Sequence, residues 1–288
     1  MQPNSDSLVH RTFSSDVRAL LAVAWKEWRI LRRYATWLIG VFVWPVLLPF
    51  GYIFTARALG GPAGTDLAAF EGATGTTDYI AFIAIGTLLW GWLSITLWDI
   101  GFQLRNEQMR GTLESNWLAP TWRISLMLGS SLTKLVFSLF FLLVTVIEFR
   151  LIFGVNLVQG NPLLLLLILA LLVPSVYATG IAFASLVIYF KEASAMVFLV
   201  RGLFMIFCGI TYPIEVLPGW MGTIASLLPL TYAIRAMRSA SLLHASFADV
   251  APDLARLALF AVLTPIIAYI TFSLTEREAR RTGSLSHY

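Results

Sequence analysis

Charge is what this chain is short of: only 12% of its 288 residues are Asp, Glu, Lys or Arg, about half the share of an ordinary soluble domain. With 58% hydrophobic residues and a mean hydropathy of +0.78, it has too little polar surface to coat a globule in water. A soluble globular fold is excluded and lipid becomes the solvent. Cysteine is down to Cys208, so neither an internal disulfide nor a cysteine metal cluster can form. Histidine is limited to His10, His244 and His287, scattered and without a helical ligand pair, and no metal site is expected. Lysine is scarcer than arginine: Lys26, Lys134 and Lys191 follow Trp25, Thr133 and Phe190. A phosphate-binding loop needs Gly-Lys and then Ser or Thr, so none of the three can serve in one. The net charge of +4 is no nucleic-acid footprint either. The basic residues flank apolar runs, where they meet anionic headgroups, and no nucleic-acid partner is expected.

What the chain has instead is long apolar runs. A spanning helix needs roughly 20 mostly apolar residues, and such runs fall at about 35–56, 79–101, 129–152, 163–189, 194–212 and 254–274. The expected fold is all-α, with six transmembrane helices. The first run begins behind a charged segment and is too long for a signal-peptide core, so a cleaved leader is not expected. With the N-terminus in the cytoplasm, the inner side collects 13 basic residues (Arg11, Arg18, Lys26, Arg29, Arg32, Arg33, Arg105, Arg110, Arg123, Lys191, Arg277, Arg280, Arg281). The outer side receives 5: Arg57, Arg150, Arg235, Arg238 and Arg256. Both termini are therefore expected inside. A further apolar region, 213–243, is broken by Pro213, Pro218 and Pro229. Counting it as a seventh span would put Arg277, Arg280 and Arg281 outside. A re-entrant hairpin of two short helices, beside a cavity open to the outer face, keeps the bias.

Three domains follow: a cytoplasmic N-terminus with an interfacial helix (1–34), a membrane domain (35–275) and a cytoplasmic tail (276–288). In 15–33, Val17, Leu20, Leu21, Ala24, Trp28 and Leu31 recur at helical spacing, with Asp16, Arg18, Lys26, Arg29, Arg32 and Arg33 elsewhere on the wheel. Such a helix lies flat on the membrane, either as a topology anchor or as an element that takes force from a cytoplasmic partner. The one sizeable cytoplasmic loop, 103–128, puts Leu113, Trp117 and Leu118 on one face of a short helix that Pro120 limits. A solvated loop has no need of that apolar surface; a docking helix does. Within the spans, Glu148 and Arg201 are charges that need a partner or a cavity. Their depths do not match, but Asp99 matches Arg201, and an Asp99–Arg201 pair is expected.

The stretch Glu107…Gly111-Thr112-Leu113-Glu114…Pro120 resembles the glutamate–glycine–threonine–leucine–glutamate…proline signature of the ABC-transporter type-2 permease family. The stretch Tyr212-Pro213…Leu217-Pro218…Trp220…Leu228-Pro229-Leu230-Thr231-Tyr232-Ala233…Met237-Arg238 resembles that family's re-entrant hairpin, and the order of elements matches over residues 15–275. The resemblance implies a permease subunit of an ATP-driven exporter, paired as a homodimer or heterodimer and driven by separate cytoplasmic ATP-binding subunits. ATP and Mg would sit on that partner, with no cofactor on this chain. Glu107, Gly111, Thr112, Leu113 and Glu114, with Trp117 and Pro120 of the same loop, would couple to it. Pro213, Pro218, Trp220, Pro229, Tyr232 and Arg238 would form the hairpin. Gln108 departs from the pattern, standing where many members carry a basic residue. The resemblance also implies a prokaryotic plasma membrane and an amphiphilic cargo such as a drug, a lipid or a lipid-linked saccharide. Two other classes fit less well. A single-chain secondary transporter usually shows two related halves. An intramembrane enzyme needs convergent catalytic groups, and His244 and Glu148 have no nucleophile motif beside them.

Overall fold

The computed structural model describes residues 13–33, 36–60, 68–109, 111, 123–190 and 193–282, and among them every regular element is helical. In order these are α1 (Phe13–Arg33), α2 (Trp37–Gly60), α3 (Ala68–Thr74), α4 (Tyr79–Gly101), α5 (Gln103–Met109), α6 (Arg123–Ile152), α7 (Pro162–Phe190), α8 (Ala193–Phe207), a 3-10 turn (Ile214–Val216), α9 (Gly219–Ala225), α10 (Pro229–Leu242) and α11 (Phe247–Thr282).

Five of these helices are long and apolar enough to cross a membrane: α2, α4, α6, α7 and α11. The run expected as a span at 194–212 is helical only over Ala193–Phe207, 15 residues. That is about 22 Å at 1.5 Å per residue, short of the roughly 30 Å of hydrocarbon. The helix stops because Gly209 turns left-handed, with φ +66°, a conformation glycine adopts without the Cβ penalty.

The bundle is built around α4. Its start is fixed locally: the Asp78 carboxylate accepts the Ala81 N–H at 2.9 Å, and the Thr76 hydroxyl oxygen accepts the Asp78 N–H at 3.1 Å. Of its apolar stretch 78% is buried, against 17% for α11, because α2, α6, α7, α8 and α10 all pack on α4. Its tryptophans are packing residues. Trp92 is fully buried, the Trp90 indole donates to the Arg201 carbonyl at 3.0 Å, and Trp98 stacks on Phe102. α11 runs along α7 at the periphery.

Region 213–243 forms two short helices rather than one long one. Pro218 caps α9 and Pro229 opens α10, where a missing N–H is harmless. α10 is sunk into the protein, with Leu230, Thr231, Tyr232, Ala233, Ile234, Ala236, Met237 and Ala240 all buried. The α6–α7 connection closes over its end. Ser241 Oγ donates to the Leu157 carbonyl at 2.6 Å, and a Cβ on Gly160 would collide with the Ala240 oxygen, so only glycine lets these backbones touch.

Candidate functional site

Two clusters gather the residues that the sequence singled out. The first lies where α1, α5 and the start of α6 meet. α5 follows α4 after a single residue, Phe102, whose N–H bonds back to Trp98 O at 3.2 Å. Glu107 on α5 accepts a hydrogen bond from Lys26 Nζ at 2.8 Å. Burial pulls the Lys26 ammonium down, but the hydrogen bond and charge of Glu107, with Glu27 beside it, outweigh that and hold its pKa above the ordinary 10.5. Gly111 is exposed and left-handed, with φ +68°, which explains a glycine two residues beyond the end of α5. Thr112, Leu113, Glu114, Trp117 and Pro120 lie outside the described residues.

The same junction is knitted by residues the sequence reading passed over. α1 crosses α6 at Gly129, where a Cβ would come within 2.5 Å of the Leu20 carbonyl oxygen, and Thr133 Oγ1 donates to Ala24 O at 2.8 Å. On the next face of α6, Ser130 donates to the Gln103 side chain. Lys134 Nζ donates to the Asp99 carbonyl at 2.8 Å, and its charge stands 3.7 Å from the Asp99 carboxylate. The lone Lys134 near the start of an apolar run, at the depth of Asp99, was a usable signal.

The expected Asp99–Arg201 pair does not form. Asp99 belongs to Lys134, and the Arg201 guanidinium lies 5.0 Å from the Trp90 ring centroid and 6.0 Å from that of Phe198. The reason is reach. Trp90 and Asp99 are nine residues apart on α4, about 13 Å along the axis, farther than an arginine pointing at one can extend to the other. Arg201 instead takes two aromatic faces. Glu148 is half-buried, with Oε2 lacking a hydrogen-bond partner.

The second cluster surrounds Arg238 on α10. Its guanidinium donates to Phe82 O through Nε (3.1 Å) and Nη2 (3.0 Å), to Gly209 O through Nη1 (2.8 Å) and to Ile210 O through Nη2 (2.6 Å). It also lies over the Phe82 ring. The planar fork thus satisfies carbonyls left open where α8 ends and ties them to the first turn of α4. Gly86 makes room: a Cβ there would collide with Ile210 O and fall 2.6 Å from Arg238 Nη2. Arg235, one turn earlier, forms a bidentate pair with Asp253 on α11. Tyr232 donates to Ser226 O at 2.7 Å and stacks on Phe260, fixing the α9–α10 corner. Pro213 precedes the 3-10 turn, and Trp220 is exposed, in a T-shaped ring contact with Phe207. Between α3, the end of α8 and α10 lies a cavity of about 200 Å³, walled in part by Thr74, Cys208, Glu215, Thr231 and Arg238.

Set beside known families, residues 18–242 match the family model described as "ABC-2 type transporter". Among curated proteins, none matches.

Proposed function

The chain belongs to the ABC-2 type transporter family, a membrane transport component, and from that premise we propose that it is the permease subunit of an ATP-driven exporter. A separate cytoplasmic subunit carries ATP and Mg, and two permease subunits, alike or different, enclose the path. α8 serves as the short fifth of six spans, α9 and α10 as a re-entrant hairpin, and both termini face the cytoplasm of a prokaryotic cell. The cargo is amphiphilic: a drug, a lipid or a lipid-linked saccharide.

The observation that supports this reading is the Lys26–Glu107 contact. It joins an amphipathic helix to α5, the short helix that links the most buried span, α4, to the signature loop 107–120. A push on the loop from a nucleotide-driven partner therefore meets α1, α4 and α6 together, as a coupling element requires. A ligand-driven switch needs interaction energy that differs between two states, and closure of the ATP-binding subunits supplies it through this junction.

The test is crosslinking from Gly111→Cys in native membranes, with an ATP-binding subunit co-expressed. Crosslinks that form with that subunit and change with nucleotide are expected. Labelling of position 111 only from outside the cell, or no crosslink to a nucleotide-binding protein, overturns the reading.

A further inference from the structure

Three cations inside the bundle are answered by oxygen. Lys134 stands by Asp99, Arg235 by Asp253, and Arg238 gathers three carbonyls. Arg201 has neither an acid nor a carbonyl for its side chain among the described residues. Its guanidinium rests against the rings of Trp90 and Phe198, and its buried Nε has no hydrogen-bond acceptor. Aromatic faces attract the charge but leave the N–H donors without an oxygen.

Trp90 is the middle residue of α4, eleven residues from both Tyr79 and Gly101, about 16 Å from either end. The guanidinium therefore stands near the middle of roughly 30 Å of hydrocarbon, away from the headgroup phosphates that a snorkelling arginine seeks. A second copy of this chain brings no acid to that depth. Asp99 and Glu148 lie two and four residues from the ends of their helices, and Asp253 is taken by Arg235. The place is open all the same. Arg201 is half-buried, Phe198 is 62% exposed, and a Cβ on Gly202 would meet nothing within 4 Å. The Trp90 indole, donating to the Arg201 carbonyl at 3.0 Å, fixes this opening to the central helix.

We propose that Arg201 binds the cargo: its guanidinium receives the carboxylate or phosphate of an anionic amphiphile at the middle of the membrane, and Phe198 lies along the cargo's apolar part. The planar fork matches two oxygens of such a group, and the low dielectric strengthens the pair. A cation kept at this depth is costly unless something meets it, and an anion crossing the membrane needs a cation there for the same reason. A neutral amphiphile would leave the guanidinium donors unmet, and a cationic one would be repelled. This rests on the permease reading and narrows its cargo to amphiphiles that carry an acid group.

The test places a thiol beside the guanidinium, with Gly202→Cys in the full-length chain and its ATP-binding subunit in phosphatidylcholine nanodiscs. Cys208 is buried, so position 202 supplies the reactive thiol. Its modification by an anionic sulfonatoethyl thiosulfonate is compared with that by a cationic trimethylammonioethyl thiosulfonate. The anionic-to-cationic rate ratio should fall at least about ten-fold when Arg201→Gln is added. Dodecyl phosphate or dodecanoate should protect the thiol at least about ten-fold better than dodecanol does, and that preference should vanish with Arg201→Gln. The comparison of acid with alcohol is made with Arg201 in place, so it does not depend on how the glutamine variant folds. No reaction with either reagent, an unchanged rate ratio, or equal protection by acids and alcohol overturns the proposal. So does equal protection by phosphatidylglycerol added to the disc, which assigns the charge to a bilayer lipid. Should the Gly111→Cys crosslink form while the acid preference is absent, this inference fails and the permease reading stands.

Discussion

Lys26 on α1 and Glu107 on α5, 81 residues apart in the sequence, meet at 2.8 Å. The contact makes one mechanical unit of two elements that the sequence presents separately, an amphipathic helix and a loop signature. Lys26 is partly exposed, with a side-chain accessibility of 44%, so the pair contributes only about 0.5 kcal/mol to stability after solvent screening. Its value lies in position.

Lys26→Met and Glu107→Gln are therefore expected to leave folding nearly unchanged, shifting the detergent unfolding midpoint by a few degrees at most. Each should still lower ATP-driven transport several-fold. The folded-state pKa of Lys26 is raised, so its contribution is complete below the ordinary 10.5 and is lost only as pH rises through the higher folded value. Between pH 7 and 9 the Lys26 titration should not affect coupling. Transport that is unimpaired in both variants would remove the role assigned to the contact.

Gly86→Ala is expected to be among the most damaging small substitutions in the chain. The added methyl would collide with the Ile210 carbonyl and come within 2.6 Å of the Arg238 guanidinium. Two backbones would have to part, at a cost of about 3 kcal/mol. Gly202→Ala, within α8 and with open space around its Cβ position, should be neutral or slightly stabilising. Thermal unfolding of the two variants side by side decides it, and equal midpoints would contradict the close approach seen at Gly86.

Arg238→Met removes the guanidinium donors from three carbonyls, whereas Arg238→Lys keeps the charge and loses the planar fork. The methionine variant should lose about 3 kcal/mol and the lysine variant roughly half of that. Proteolysis in the 209–216 turn should accelerate in the same order. If lysine behaves as wild type, charge alone holds the turn and the fork geometry is irrelevant.

Asp99 and Lys134 should show energetic coupling in a double-substitution cycle of Asp99→Asn with Lys134→Met, amounting to about 0.5–1 kcal/mol. The corresponding cycle of Asp99→Asn with Arg201→Met should be additive within about 0.5 kcal/mol. Trp90→Leu, which removes the ring under the guanidinium and the indole donor to the Arg201 carbonyl, should instead be coupled to Arg201→Met. The reverse pattern would restore the pairing of Asp99 with Arg201.

Membrane solvent, helical content and the places of the long apolar runs were determined by the sequence alone, because hydrocarbon accepts only backbones that satisfy their own hydrogen bonds. Such backbones leave a run of about 20 apolar residues. The broken region 213–243 was legible for a local reason: Pro218 and Pro229 stand at the starts of two short helices, where proline's missing N–H is harmless. Other features are decided by contacts between distant segments. The shortness of α8 depends on Gly209 turning where Arg238 gathers the carbonyls. The centrality of α4 depends on its neighbours and not on its hydropathy, which α7 and α11 exceed. Charge pairing inside the bundle was misread from depth, because depth along the membrane normal ignores which way a side chain points. Lys134 faces α4 at Asp99 while Arg201 faces it at Trp90, and only the packed helices set those directions.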